Sequence, residues 1–313
     1  VSAAGALLPR RVRVIGTGAM ASLFAARLAL RGRAEVGMAG SWAAALEAVA
    51  RRGLTLEEGG RSRTVAVAAL PLDAPQPPVD LALVLVKGHQ TAAVAPLAAR
   101  HAGADGLLLT LQNGVGHRAL LERAAPGRVA AGVATVGARL LAPGRVASTP
   151  GALEIGRDAR LAAAIEAAAA LLADAGFEVA LTDDLDAAVW RKLAVNCALN
   201  ALSALRGVDN GSLLRDAGDR GLLEEAAREV GRVARALGIA LGRDPAALAA
   251  SVAERTAANR SSMLQDLERG APIELEAING VVVREARRLG VPTPVNDRLC
   301  RELRALSAAG TAP

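Results

Sequence analysis

Short aliphatic runs alternate with amphipathic stretches through the first half of the chain, and after Thr182 that alternation stops. RVRVIG predicts a first strand, Met20 to Arg31 its crossover helix, AEVGMA a second strand and the run through LEAVARR a second helix. LTLEE and TVAVAAL predict weaker extended pieces ahead of the Pro-rich turn APQPPVD. LALVLV predicts a buried strand, AAVAPLAARH a helix and GLLLTL another strand, with RVAAGVATVGA, RVASTP and ALEIG extending the series. Strands and helices in this order build βαβ units around a parallel sheet.

Beyond Thr182 no alternating stretch interrupts the helical spacing. DDLDAAVWRKLAVNCALNALSALRG predicts one long helix, followed by GLLEEAAREVGRVARALG, PAALAASVAERTAANRSSMLQDLERG, IELEAINGVVVREARRLG and VNDRLCRELRALSAAG. A chain of 313 residues is about twice the usual domain length. The expected architecture is α/β: a parallel-sheet domain over residues 1–182 and an all-helical domain over residues 183–313, joined without a flexible linker.

Composition narrows the function. Hydrophobic residues make up 52% of the chain but aromatics only 1%, so aliphatic cores with close helix approach through alanine are expected. A net charge of +6 raises nucleic acid as a partner. The arginines argue against it, because they interleave with acids in LLEEAAREVGRVARAL and VVVREARRLG, as on solvated helix faces. Aromatic platforms for stacking bases are nearly absent. No window approaches the apolar length of a membrane span, and the opening VSAAGALLPRRVRVIG lacks the regions of a signal peptide. A cytoplasmic protein with neither membrane nor nucleic-acid partner is expected. Cys197 and Cys300 lie in helical runs, as buried small residues and not as a disulfide scaffold or CxxC site. His89, His101 and His117 lack metal-ligand spacing and read as surface or supporting residues, so no metal is expected.

Two features carry chemistry. The chain has only two lysines, Lys87 and Lys192, amid abundant arginine; arginine stays charged, whereas lysine can be tuned to release a proton. Gly16-Thr17-Gly18-Ala19-Met20-Ala21 follows a predicted strand and opens a helix, the context that makes G-x-G-x-x-G/A a dinucleotide fingerprint. Gly16 suits the tight turn, Gly18 the approach of pyrophosphate, and Ala21 the packing of helix on sheet, with the helix N-terminus facing the phosphates. The second strand ends in Met38-Ala39-Gly40-Ser41-Trp42, without the acid that favours NAD and without an arginine for a 2′-phosphate. NADP is the expected cofactor, with Ser41 as a phosphate ligand and Arg33 reaching in from the turn before the strand. Lys87 and Asn113 follow later strands, and with Gly16 they are expected to converge on one crevice.

In the helical half, Lys192, Asn196 and Asn200 recur at intervals of four, within about 80° on an α-helix. Such a stripe on an otherwise apolar helix needs partners, water or a ligand. Asn259, Ser262 and Asp266 form a second stripe, with Asp266 read as a cap or an arginine partner. Glu274 falls near the predicted start of a helix, where a carboxylate suits the helix dipole.

The G-x-G-x-x-A turn at Gly16, V-K-G at Lys87, Q-N-G at Asn113, WRKLAVNCALN from Trp190, SSMLQD from Ser261 and IELEAING with the later Gly290-Val291-Pro292 together resemble the ketopantoate reductase (2-dehydropantoate 2-reductase) family from Arg11 to the last helix. The resemblance implies an N-terminal Rossmann-type domain joined to an all-helical domain, with the substrate in the cleft. It implies NADPH-dependent reduction of 2-dehydropantoate to (R)-pantoate in coenzyme A biosynthesis. By resemblance Lys192 is the catalytic lysine and Glu274 its partner carboxylate; Asn196, Asn200 and Ser262 hold the keto acid, and Lys87 and Asn113 form the nicotinamide end of the pocket. The family's arginine for the 2′-phosphate is missing, since Ser41 or Trp42 stands about there. Two other readings stay open: a reductase of another 2-keto acid on the same scaffold, and a regulatory protein that senses NADP without turnover. A homodimer is one candidate assembly.

Overall fold

The computed structural model describes residues 8–308 and 310; the first seven residues, on which part of the leader-sequence expectation rests, lie outside them. The described chain divides into two compact units. One runs to Gln112 and resumes from Gly116 to Leu185, and the other joins Asn113–Val115 to the chain from Asp186 onward.

The first unit is built on an eight-stranded sheet. The chain enters it with β1 (Arg11–Ile15) and β2 (Glu35–Gly40), and two short strands paired as a hairpin follow, β3 (Leu54–Glu58) and β4 (Arg61–Val65). Next come β5 (Ala68–Pro71), β6 (Leu81–Val84), β7 (Leu107–Thr110) and β8 (Val129–Ala134), then β9 (Gly137–Ala142), β10 (Arg145–Thr149), β11 (Ala152–Gly156) and β12 (Glu178–Thr182). The large sheet runs β12-β11-β8-β7-β6-β1-β2-β5, parallel except where β11 meets β8. Every residue of β6 and β7 is buried, as expected of strands covered on both faces. From β5 to β8 the order is that of the doubly wound dinucleotide fold, and it reverses at β1.

Helices α1 (Ala19–Arg31), α2 (Ala43–Arg52), α3 (Thr91–Ala102), α4 (His117–Ala124) and α5 (Ala162–Asp174) complete the unit. The parallel series is interrupted in a way the linear pattern did not predict. TVAVAAL splits between β4 and β5, and RVAAGVATVGA between β8 and β9, because each run serves two sheets. The second sheet is small, ordered β4-β3-β10-β9.

The second unit is helical: α6 (Leu185–Val195), α7 (Ala201–Arg206), α8 (Ser212–Arg215), α9 (Ala217–Ala236), α10 (Pro245–Arg255), α11 (Ser262–Glu268), α12 (Asn279–Leu289) and α13 (Pro294–Ala308). Fully buried Ala194, Ala198, Ala201, Ala226 and Ala227 let backbones approach, with Leu199, Leu213, Leu223, Val230 and Leu299 filling the core between them. Three expectations are corrected here. The helix from Asp184 is not continuous α-helix: Asn196–Asn200 is a π turn between α6 and α7. The run from Pro245 to Gly270 breaks after Thr256 and restarts at Ser262, so Asn259 sits in a loop and shares no helical stripe with Ser262. Glu274 does not open a helix, because α12 begins only at Asn279. No described helix is long and apolar enough to cross a membrane.

Candidate active site

In the first unit the β1–α1 turn has the shape its motif requires. Gly16 adopts φ 127°, a region open to glycine, and a Cβ there would lie 3.0 Å from the Leu85 carbonyl oxygen. Its N–H donates to the Ala39 carbonyl at 2.8 Å, stitching the turn to the end of β2. Thr17 is buried, and Ala21, on the buried face of α1, is fully covered. Ala19 and Met20 occupy the first turn of α1 and are half-buried. Gly18 is the N-cap of α1 without any side-chain bond to the first turn, and a Cβ placed on it would meet nothing within 4 Å. The helix start is thus open on the side where an anion would approach it.

Ser41 is exposed just past β2, and Trp42 beside it is 41% exposed, one of two exposed large hydrophobic residues among those described. Arg33 is excluded as a partner for Ser41. It lies in the turn before β2, so the length of the strand separates the two, and its Nε sits 3.6 Å from Asp174 Oδ2. Lys87 is half-buried at the end of the β6 segment, and its N–H donates to Gln90 Oε1 at 3.2 Å. His101 and His117 are buried supports and not surface residues: His101 Nε2 lies 2.8 Å from the Leu72 carbonyl oxygen, and His117 Nδ1 lies 3.2 Å from Thr91 Oγ1.

The second unit brings together Lys192, Asn200, Ser262, Asn113 and Glu274. Although Asn113 follows a strand of the first unit, it groups with the helices, and its Nδ2 donates to Glu274 Oε2 at 3.4 Å. The next residue explains the grip. Gly114 has φ 90°, and a Cβ there would lie 2.3 Å from the Ala277 carbonyl oxygen. Glu274 is half-buried in the turn ahead of α12, where its carbonyl accepts from Ala277 N and Ile278 N at 3.2 and 3.1 Å.

Lys192 is set near the end of α6 among Trp190, Leu193 and Val195, all buried. Burial pulls its pKa down from 10.5 to about 8, against the opposing charge of Glu274. Its ammonium is therefore poised to give up a proton close to neutral pH. Asn196 is half-buried, whereas Asn200 is buried and its Nδ2 lies 3.5 Å from Ser262 Oγ. Ser262 itself is exposed as the first residue of α11. Asp266 is buried and accepts from Arg269 Nη2 at 2.9 Å, the arginine pairing read from its position.

Sequence reading passed over two side chains that hold this site together. Ser261 caps α11 by accepting from Leu264 N at 3.2 Å and is bonded by Ser203 at 2.7 Å. Asn279, fully buried, donates to the carbonyl of Cys197 inside the π turn at 2.9 Å. The signal for Ser261 was present in S-S-M-L-Q, a serine just before an apolar helix. Nothing local marked Asn279. Cys197 and Cys300 are buried and unlinked, with the Cys197 thiol pushed well up by its burial.

A sheet whose strand order reverses beside a glycine turn, followed by an all-helical unit with a half-buried lysine among apolar residues, defines a Rossmann-type protein with an appended helical unit. The family model described as ketopantoate reductase PanE/ApbA matches residues 12–160, and its C-terminal counterpart matches residues 184–307. The chain belongs to the ketopantoate reductase family. It is 37% identical to the 2-dehydropantoate 2-reductase of Halobacterium salinarum, covering 91% of this chain and 95% of that protein. It is 34% identical to the one from Archaeoglobus fulgidus, covering 96% and 98%. Among solved structures, a ketopantoate reductase of the PanE/ApbA family from Ralstonia eutropha superposes with a TM-score of 0.87 at 32% identity, covering 96% and 99%. D-mandelate dehydrogenase in complex with NADH superposes with a TM-score of 0.88 at 25% identity, covering 96% and 100%.

Proposed function

We propose that this protein reduces 2-dehydropantoate to (R)-pantoate with NADPH, and that Lys192 is the proton donor. The observation that carries the reading is a half-buried lysine whose pKa is lowered by desolvation and raised by the charge of a carboxylate, Glu274, which is itself bonded to Asn113. The cofactor fits the first unit on three observations: the positive φ of Gly16, the open space over Gly18 and the uncapped start of α1. Gly16 through Ala21 would hold the pyrophosphate and Lys87 the nicotinamide end, with Ser41 at the adenosine end. Bound there, NADPH supplies the hydride.

The chain's own residues do the rest. The Lys192 ammonium stabilises negative charge growing on the keto oxygen and then transfers its proton to that oxygen. Glu274 holds the ammonium in place and, through Asn113, is held in turn. Asn196, Asn200 and Ser262 orient the carboxylate and hydroxyl of the keto acid by hydrogen bonds, in a setting where unpaired polar groups are costly.

Monitoring NADPH absorbance with ketopantoate against a panel of bulkier and aromatic 2-keto acids tests the substrate. Preference for an aromatic keto acid moves the assignment toward the mandelate-type reaction, and absence of turnover with every member leaves only a sensing role. Lys192→Ala is expected to lower turnover by about 10² or more with NADPH binding nearly intact. Lys192→Arg should not restore it, since arginine holds its proton. Unchanged turnover in Lys192→Ala removes the residue from the reaction.

A further inference from the structure

We infer that Asn279 is a positioning residue, one that fixes the π turn carrying Asn196 and Asn200 against the segment carrying Glu274. The inference rests on the function proposed above. A π turn widens the hydrogen-bond ladder and presents carbonyls to side chains from outside the helix. Two such carbonyls are reached here: Cys197 O accepts from Asn279 Nδ2 at 2.9 Å, and Asn200 O accepts from Ser203 and Ser261 Oγ at 3.3 and 3.4 Å.

Asn279 is held from behind. Its Nδ2 also donates to Asn296 Oδ1 at 3.0 Å. Asn296 Nδ2 donates to Glu229 Oε2 at 2.7 Å and to the Ala226 carbonyl at 3.0 Å. The Glu229 carboxylate is completed by Val295 N and Asn296 N at the start of α13, each at 2.8 Å. Asn279, Asn296 and Glu229 are all fully buried, so the chain of bonds has one polarity and little slack. Turning the Asn279 amide over would set its oxygen against two acceptors, and its Oδ1 as placed is buried with no partner.

Four residues separate Asn279 from Glu274, and the intervening turn is bonded to itself, with Gly280 N donating to Leu275 O at 2.9 Å. One amide therefore touches the π turn directly and the Glu274 segment through its own backbone. Lys192 sits one turn ahead of the π segment, so a shift there changes how Lys192 and Glu274 face the substrate. A misplacement of about 1 Å in such a site costs about 10²-fold in rate.

The experiment compares Asn279→Ala and Asn279→Ser with wild type, using ketopantoate and NADPH. We expect kcat to fall about 10- to 100-fold and the primary deuterium isotope effect on kcat to rise, because hydride transfer becomes the slow step. NADPH affinity, read by quenching of tryptophan fluorescence, should stay within about twofold, since the cofactor residues are in the other unit. Crystal structures of the variants should show the π turn relaxed toward α-helix. A folded variant with wild-type kcat and isotope effect overturns the inference, as does failure of both variants to fold, which would make Asn279 structural only. If wild type turns over no 2-keto acid, the proposed function has failed, and the π turn in the variant crystals then decides the positioning claim alone.

Discussion

At the scale of single residues, charge state decides most of the behaviour. With its pKa near 8, Lys192 must be protonated to act as an acid, so kcat/KM should be level below that pH and fall tenfold per unit above it. Glu274 is what holds that value up. Glu274→Gln should therefore move the alkaline limb to lower pH, in addition to slowing the reaction, and a limb that stays put would detach the two groups. The same lysine leaves a mark on stability. Between about 8 and 10.5 the unfolded chain keeps a proton that the folded chain has released, so this group makes stability rise with pH across that window. In the first unit, just past β2, exposed Trp42 offers a flat face and no charge. Trp42→Arg should raise the preference for NADPH over NADH by about tenfold or more, through a charge-assisted bond to the 2′-phosphate; equal kcat/KM ratios in variant and wild type would place that phosphate elsewhere.

At the scale of elements, two glycines make the sharpest cases. Gly16→Ala forces a side chain into φ 127° against the Leu85 carbonyl, and should abolish measurable NADPH binding. Gly114→Ala meets both φ 90° and the Ala277 carbonyl, and should cost on the order of 2 kcal/mol in denaturant unfolding. Unfolding midpoints equal to wild type would show that the loop has room to move. Elements were legible in the sequence where periodicity and punctuation agree: β6 and β7 carry aliphatic runs, β1 alternates arginine with aliphatic residues, and α1 opens and closes at Gly18 and Gly32. The small second sheet was not legible, since its two hairpins, β3 with β4 and β9 with β10, are joined only by β10 pairing with the distant β3, which local pattern does not encode. The break between α10 and α11 was hidden because T-A-A-N-R-S is itself compatible with helix. The π turn was hidden for the same reason: NCALN has ordinary helical residues, and the side chain bonded to its Cys197 carbonyl, Asn279, lies 82 residues away.

At the scale of the molecule, each unit carries its own apolar core, so heat unfolding need not be a single two-state event. NADPH at a hundred times its Kd should stabilise the unit it binds by about 2.7 kcal/mol. Calorimetry should therefore show a transition rising with the logarithm of NADPH concentration, and indifference to the cofactor would contradict its assignment to the first unit. The surface ion pairs, such as Arg220 and Arg228 on Glu224, account for much of the arginine content and add little each. The π turn has a consequence best put as a count of residues. A helix running from Leu185 to Arg206 with one residue fewer could keep regular α-helical bonding up to its last turn. It would also swing everything after the deletion by about 100° about the axis. The chain is thus one residue longer here than regularity asks for, and selection for stability alone would press to remove the surplus residue on which the arrangement of Lys192, Asn196 and Asn200 depends.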